Sequence, residues 1–459
     1  MGHARRLDPW PDRALPAGDC RLFGAWPRDD PRRRARAQPV PGRASRLVKY
    51  EAPRGTQDVL PAQQPLWERV LRETEELCTA YGYRRITTPL FEDTELFTRT
   101  SGEGSDVVQK EMYTFTDRGD RSLTLRPEGT ASVARAYVEH GLYREAQPVK
   151  TYLIGPMYRY AAPQRGKFRE FWQLNVEAMG SDDPALDAEV IQLYAELLRR
   201  LGIEGWWLEL NSIGDRNCRP AYLERLNAWL DEHADELDED TLAKRKTSPL
   251  RVFDNLPQKP EAVQRALAEA PKIGESLCAD CRAHFDAVRS YLDACGVEYR
   301  LVPTLVRGLD YYTRTTFEFM AKALGAALSL AGGGRYDYLI EEIGGPRTPA
   351  VGIASGIERL VLSLAEQGAE PARPEVDVFF VVEDNGMRPS VLASMAELRR
   401  AGRAAETDYA GRSLKGQLTQ AGRVGAKATV IVRSAGATLR RPGEQDVEFP
   451  SLAEAVEAL

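Results

Sequence analysis

Two strand-like runs joined by a basic loop constrain this 459-residue chain more than any other stretch. Val149 to Tyr158 reads as one strand and Phe171 to Met179 as another. Between them, Arg159 to Arg169 holds Arg159, Arg165, Lys167 and Arg169 with a Gly and a Pro. A connection of that length returns the chain as a long hairpin, because parallel neighbours need a longer crossover. Side chains alternate along a strand, so Gln173, Asn175 and Glu177 share one face of it.

A second stretch, Val306-Arg307-Gly308-Leu309-Asp310-Tyr311-Tyr312, packs a fixed cation, a tight turn, an acid and two phenols together. Tyr299 to Val306 before it and Thr315 to Met320 after it read as strands, so Arg307 and Tyr312 are expected near strand ends. Arginine stays charged and forks onto a phosphate or carboxylate. Tyrosine offers a flat apolar face and one donor/acceptor at its tip. The segment points to a pocket for a small, partly aromatic ligand beside an anion. An ion-paired arginine beside core tyrosines is the plainer reading.

The remaining elements follow from pattern. Trp67 to Tyr81 has a helical period closed by Gly82, and Tyr83 to Leu90 reads as a strand. Glu111 to Thr116 and Ser122 to Leu125 read as two short strands. Arg126-Pro127-Glu128-Gly129-Thr130 opens a helix over Ala131 to His140. Asp187 to Leu201 is a helix closed by Gly202, and Trp206 to Asn211 a strand. Gly214 to Val297 is mostly helical, an insertion between strands of one sheet. Gly332-Gly333-Gly334-Arg335-Tyr336-Asp337 reads as a glycine turn, and Ala350 to Ile353 as a strand leading to a helix that ends at Glu366. After a linker-like stretch near Gln367 to Pro374, strands Val376 to Val382 and Lys427 to Val432 alternate with helices Ser390 to Ala401 and Leu452 to Leu459. That order implies a small parallel or mixed sheet covered on both faces.

A composition 43% hydrophobic and 28% charged fits a soluble globular protein, and no apolar run approaches the ~18 residues of a membrane span. No secretory pattern opens the chain. Six scattered cysteines do not make a disulfide framework, so a reducing cytoplasm is expected. The net charge of −6 means that any nucleic acid must meet a local positive field. Ala396 to Arg441 supplies one, with ten Lys/Arg against three Asp/Glu, unless that excess is only a solvated face. Residues 1 to 46 hold eleven Arg, five Asp and seven Pro without period, and disorder is expected there. A basic arm, a transit peptide and an upstream start are the other readings.

Glu128, Arg159, Gln173, Glu177, Arg307, Tyr312 and Arg359 all fall near strand or helix ends. Three fixed cations around a polyphosphate would offset the charge of a phosphoryl-transfer transition state, and two acids would hold an amine and a ring nitrogen. Singly, each has a structural reading: Glu128 as a favourable charge at a helix start, Arg359 as a surface ion pair.

The wording of these segments resembles histidyl-tRNA synthetases, class II aminoacyl-tRNA synthetases. The segments are RGTQDVLP at Arg54 to Pro61, TLRPEGTA at Thr124 to Ala131, and GPMYRY with PQRGKFREFWQLNVEAMG across Gly155 to Gly180. LVRGLDYYTRT at Leu305 to Thr315, AGGGRYD at Ala331 to Asp337 and VGIASGIERL at Val351 to Leu360 complete the set. The resemblance implies an α+β catalytic domain with a class II antiparallel sheet flanked by helices, over residues 47–213 and 299–368. A helical insertion over 214–298 and a C-terminal α/β anticodon-binding domain over 375–459 complete it, after the extension at 1–46. It implies that Arg159 grips the α-phosphate and carboxylate, Arg359 the γ-phosphate side, and Arg307 the α-phosphate. Glu128 and Thr130, flanking Gly129, would meet the substrate amino group, and Gln173 the amino acid. Glu177 and Tyr312, with Tyr311 beside them, would read the imidazole. The implied activity joins L-histidine to tRNA(His) with ATP and Mg²⁺, in a cytoplasmic homodimer. Ala161 and Ala162 depart from the family, which usually has a glutamate and often an arginine there. The regulatory subunit of ATP phosphoribosyltransferase, which resembles the same core without ligase activity, is the alternative. A synthetase-like sensor of uncharged tRNA is a third reading.

Cys278-Ala279-Asp280-Cys281-Arg282-Ala283-His284, with Cys218 upstream, stands apart. Cys218, Cys278, Cys281 and His284 have the makings of a tetrahedral Cys₃His zinc site, or the thiols are small core residues.

Overall fold

The computed structural model describes residues 50–459 apart from 103, 104, 106, 163–165, 255, 324, 325 and 370–375. The extension at 1–46, Arg165 and most of the linker-like stretch lie outside the described residues. Contacts divide the chain after Glu51, and Ala52–Leu459 forms one unit.

The strands in chain order are β1 Arg84–Arg85, β2 Phe91–Asp93, β3 Tyr113–Thr116, β4 Ser122–Leu125, β5 Val149–Tyr158, β6 Glu170–Met179, β7 Trp206–Ser212 and β8 Arg300–Leu301. Then come β9 Thr313–Ala323, β10 Ala326–Arg335, β11 Ala350–Gly356, β12 Val378–Val382, β13 Ala405–Thr407, β14 Ala428–Arg433, β15 Gly436–Arg440 and β16 Val447–Phe449. Eight strands form one sheet in the order β1-β5-β6-β11-β10-β9-β7-β8. Its six central strands pair antiparallel, and each edge adds one parallel pair. The β5–β6 hairpin runs without a register break from Val149↔Met179 to Tyr158↔Glu170.

Two cores cover the two faces of this sheet. One gathers Val70, Leu77, Val190, Leu198, Val288 and Leu364 from helices Gln64–Ala80, Pro184–Leu201, Ala279–Ala294 and Ile357–Glu366. The other joins Val133 and Tyr137 of helix Thr130–Glu139 to Tyr222, Leu226 and Leu230 of helix Arg219–Glu232. Tyr311, Tyr312 and Tyr336 belong to this second core. The helices of the insertion thus share cores with the sheet on both sides.

Four local expectations fail, three of them for a physical reason. Tyr83 to Leu90 is a strand only at β1, because the Thr88 and Pro89 carbonyls accept from the buried Arg126 guanidinium instead of a neighbour. Tyr299 to Val306 pairs only at β8; Pro303 has no N–H for a ladder, and its carbonyl and that of Leu305 accept from the Asn211 amide. Glu111 closes a π-helical turn, Val107–Glu111, before β3 begins. The glycine run Gly332–Gly334 is no turn: it forms the end of β10. A Cβ at Gly333 would overlap the Gly352 carbonyl and the Phe317 ring, one at Gly332 the Arg307 guanidinium, and one at Gly334 would stand 2.9 Å from the Tyr312 ring. The glycines are needed for close approach rather than for reversal.

In the C-terminal segment a second, mixed sheet has the order β13-β12-β14-β15-β16. Val378, Phe380 and Val382 face Val391 and Met395 of helix Arg388–Arg400, whereas Phe379 and Val381 face Ala421 of helix Leu414–Arg423. Both faces are covered, as the unbroken apolar run of β12 requires.

Candidate active site

A cleft of about 880 Å³, open mouth included, lies over the centre of the eight-stranded sheet. Glu128, Thr130, Arg159, Gln173, Arg307, Tyr311, Tyr312 and Arg359 all line it. Residues separated by more than two hundred positions thus converge on one cavity, of a size that takes a nucleotide with a second small molecule.

Each side chain is aimed by the element beneath it. Glu128 precedes helix Thr130–Glu139, and its carboxylate accepts from Thr130 N at 2.7 Å and Ala131 N at 2.8 Å. It thereby satisfies two amides that a helix start leaves without partners. Burial still pushes its pKa up, and those two amides and Arg159 offset only part of the rise. A Cβ on Gly129 would overlap the Asn175 amide, so this position admits little else.

Arg159 leaves the end of β5, donates from Nε to the Pro127 carbonyl at 2.7 Å, and lies over the Phe171 ring. Arg307 crosses the floor made by Gly332 and pairs with Glu318 at 2.9 Å. Burial disfavours its charge, but Glu318, with Tyr312 and Tyr311, outweighs that and holds it cationic. Its Nε is buried without a protein partner, as is Gln173 Oε1. Arg359 enters from helix Ile357–Glu366, donates to the Gly166 carbonyl at 3.2 Å, and bonds the Ser329 carbonyl. The register of β10 slips between Ser329 and Ala331, which turns that carbonyl toward Arg359. Burial lowers the Arg359 pKa, and the neighbouring positive charges of Arg159 and Arg307 lower it further. Three guanidinium groups that repel one another across a cleft mark a place for an anion.

Glu177 sits beneath the lining rather than in it. It is buried, and its carboxylate accepts from Thr130 Oγ1 at 2.6 Å and Tyr336 Oη at 2.5 Å. Burial raises its pKa to about 8, Thr130 and Tyr336 restrain the rise, and Glu128 adds to it. Tyr311 packs its ring 4.6 Å from that of Tyr312 and 5.7 Å from that of Tyr336.

Sequence reasoning overlooked three of these groups. Glu318 is the lone acid of β9 and alternates with the core residues Phe317 and Phe319, a signal open to inspection. Tyr336 was hidden by reading its segment as a turn. Glu358 lines the cleft with Oε2 unpartnered, and burial raises its pKa to about 7. Ala161, where a glutamate was expected, is buried and turns its carbonyl to Arg169 at 3.2 Å.

The expected Cys₃His set does not form. His284 faces Asp187 at 3.8 Å, beside the Arg335–Asp187 and Arg335–Asp337 pairs, and takes no place among the thiols. The carboxylate of Asp215 stands with Cys218, Cys278 and Cys281 instead.

Comparison with known proteins gives these features a family. Residues 55–360 match the family described as histidyl-tRNA synthetase. A histidine–tRNA ligase of Halothermothrix orenii is 46% identical over 421 residues, covering 90% of this chain and 100% of the relative. One from Moorella thermoacetica is 50% identical over 382 residues, covering 83% and 89%. The crystal structure of apo S. aureus histidyl-tRNA synthetase superposes with a TM-score of 0.74 at 36% identity, covering 89% of this chain and 99% of that one. With a family match over most of its length, near full-length relatives at this identity and the same fold, the chain belongs to the histidyl-tRNA synthetase family.

Proposed function

We propose that the cleft activates L-histidine with ATP and passes the product to tRNA(His). The histidine carboxylate attacks the α-phosphorus, the bond to the β-phosphate oxygen breaks, and pyrophosphate leaves with the electron pair. A ribose hydroxyl at the tRNA end then attacks the carbonyl of histidyl-adenylate, and AMP departs. The observation that carries this reading is the convergence of Arg159, Arg307 and Arg359 on one cleft with Glu128, Thr130, Gln173, Tyr311 and Tyr312. The arginines take the phosphates: Arg159 and Arg307 near the α-phosphate, Arg359 toward the γ-phosphate. Placed charges of this kind stabilise the transition state without reorganising. Glu128, Gly129 and Thr130 meet the ammonium group, and Gln173 offers a free buried oxygen. Tyr312, Tyr311 and the Glu177 beneath them read the imidazole, since buried polar groups left unpaired reject an analogue lacking its nitrogens.

Mg²⁺ brought with ATP would offset phosphate charge, and Glu358, whose Oε2 has no partner, would be the cleft carboxylate to hold it. A structural zinc is a separate proposal and belongs to the thiol cluster. Residues 375–459 serve tRNA binding, and the protein acts as a cytoplasmic homodimer. No described helix is long and apolar enough to cross a membrane, which agrees with that setting. The regulatory-subunit alternative is not favoured, because relatives aligned over most of the chain carry the ligase name.

Histidine-dependent exchange of pyrophosphate into ATP tests the reading. Exchange that needs histidine, and no other amino acid, is the expected result. Its absence in folded protein overturns the ligase reading.

A further inference from the structure

Away from the cleft, the turn after β7 meets the start of helix Ala279–Ala294. Asp215, Cys218, Cys278 and Cys281 each bring one ligand atom there, and all four atoms lie within 4.8 Å of one another. Cys218 Sγ is 3.8 Å from Cys281 Sγ and 3.5 Å from Asp215 Oδ1. Two sulfurs bound at ~2.3 Å to a tetrahedral zinc stand about 3.8 Å apart, and a sulfur and a carboxylate oxygen at ~2.0 Å stand about 3.5 Å apart. These two of the cluster's six edges therefore already have the size that zinc imposes, and the others lie within 4.8 Å. We infer that these four side chains form a closed structural zinc site fastening the insertion to the sheet.

The surroundings agree with metal ligands rather than with ordinary core thiols. Asp215, Cys218 and Cys281 are buried. The ligands come in two pairs three residues apart, one pair from each segment, the usual layout of structural zinc. Gly214 has φ +62, and a Cβ on it would overlap Cys218 Sγ, so the first pair rests on a turn closed as tightly as the chain permits. Asp215 N donates to Cys218 Sγ at 3.3 Å, which aims the sulfur at the cluster. A dication bound here would draw the thiols into thiolates and offset much of their charge. Arg314, 3.8 Å from Asp215 Oδ2, adds one positive charge beside the cluster. A disulfide does not explain the pair, since bonded sulfurs stand only about 2.05 Å apart.

The site has a structural consequence for the cleft. Arg314 N donates to the Gly214 carbonyl at 2.7 Å, and Ile213 N to the Arg314 carbonyl at 2.7 Å. Arg219, one residue past Cys218, bonds the Tyr312 carbonyl. The turn that holds two ligands therefore anchors the segment carrying Tyr312. Metal in this site steadies the tyrosine without touching substrate.

Elemental analysis of the full chain, purified in reducing buffer, should find about one zinc per chain, and Cys281→Ser should carry almost none. Asp215→Ala should surrender its zinc to a chromogenic chelator, whereas His284→Gln should retain it. If Cys281→Ser does not fold, cobalt loaded into the unaltered chain gives the second readout: thiolate-to-cobalt charge transfer with the strong visible bands of a tetrahedral site. Less than about a tenth of a zinc per chain after adding equimolar zinc and desalting overturns the site. So does a Cys218–Cys281 disulfide in protein kept reduced, or octahedral cobalt bands. Zinc lost from His284→Gln but kept by Asp215→Ala overturns the assignment of Asp215. Pyrophosphate exchange is scored separately, so the ligase reading stands or falls on its own.

Discussion

Arg307 pairs with Glu318 inside the protein yet presents an unpartnered Nε beside the cleft. Removing one charged donor aimed at a transition state costs a rate factor of about 10²–10³. Arg307→Ala should therefore cut exchange at least about a hundredfold while the chain still folds. Because the change strands Glu318, the double variant with Glu318→Gln should recover any lost melting temperature but not the exchange. Near-normal exchange in either variant removes Arg307 from its role. Glu177 makes a different prediction, through pH. Its carboxyl titrates at about 8 in the folded chain, against an ordinary value of about 4.3. Between those values the folded state binds more protons than the unfolded one. The contribution of Glu177 to stability is thus full below about pH 4.3 and is lost as pH rises through about 8. Glu177→Gln should flatten that decline in melting temperature. A ring N–H donating to Glu177 needs the carboxylate, so the histidine KM should fall as pH rises toward about 8 and lose that slope in the variant. A parallel slope in Glu177→Gln would assign the titration to another group. Arg307, Tyr312, Glu128 and Gln173 were legible in the sequence because each has a chemistry that pattern exposes. The partners of Glu177 were not, since Thr130 and Tyr336 reach it from 47 and 159 residues away.

The element that sequence pattern misjudged is the end of β10. Three glycines in a row suggest a reversal, because glycine accepts turn conformations that other residues avoid. Here they stay extended, and the need for them comes from neighbours distant in sequence. Gly332 lies under the Arg307 guanidinium, Gly334 under Tyr312, and Gly333 against the Gly352 carbonyl. Two substitutions separate these demands. At Gly332 the added methyl meets only the far end of a long side chain, so Gly332→Ala should fold and should lower exchange by displacing Arg307. At Gly333 it meets backbone from β11, and Gly333→Ala should cost about 1–3 kcal/mol of stability, the range for overpacking a filled core. Chemical denaturation and exchange assays on both variants check the contrast; equal losses of stability would mean that β10 serves packing alone. The hairpin β5–β6 was legible to within a residue at each strand end, because its run of strand formers is long and its loop unmistakable. The strands at β1 and β8 shrank because two carbonyls beside each are claimed by Arg126 and Asn211, which no local window contains.

Across the whole chain, the proposed function assigns two chemistries to different sheets. It gives the small molecules to the cleft over the eight-stranded sheet and the tRNA contacts to the C-terminal segment. The local excess of positive charge there is smaller than its count implies. Arg412 pairs with Asp408, Lys427 with Asp377, Arg433 with Glu383 and Arg440 with Asp446. Arg400, Lys415 and Arg423 are exposed and have no ion pair among the described residues. Lys415 and Arg423 stand eight residues apart in sequence, on helix Leu414–Arg423, near one side of it. A protein cation that neutralises one phosphate releases counterions and steepens the salt dependence of binding by roughly one unit of slope. Replacing both residues by glutamate should therefore raise the KM for tRNA by about tenfold or more at moderate salt, and flatten the dependence of log KM on log salt by about two units. Histidine-dependent pyrophosphate exchange should be untouched, because neither residue lines the cleft. Were exchange to fall in step with charging, the two sheets would not divide the work. Were charging to stay normal, the tRNA would have to meet some other face of the protein, and the paired cations of the C-terminal sheet would be there for its own stability.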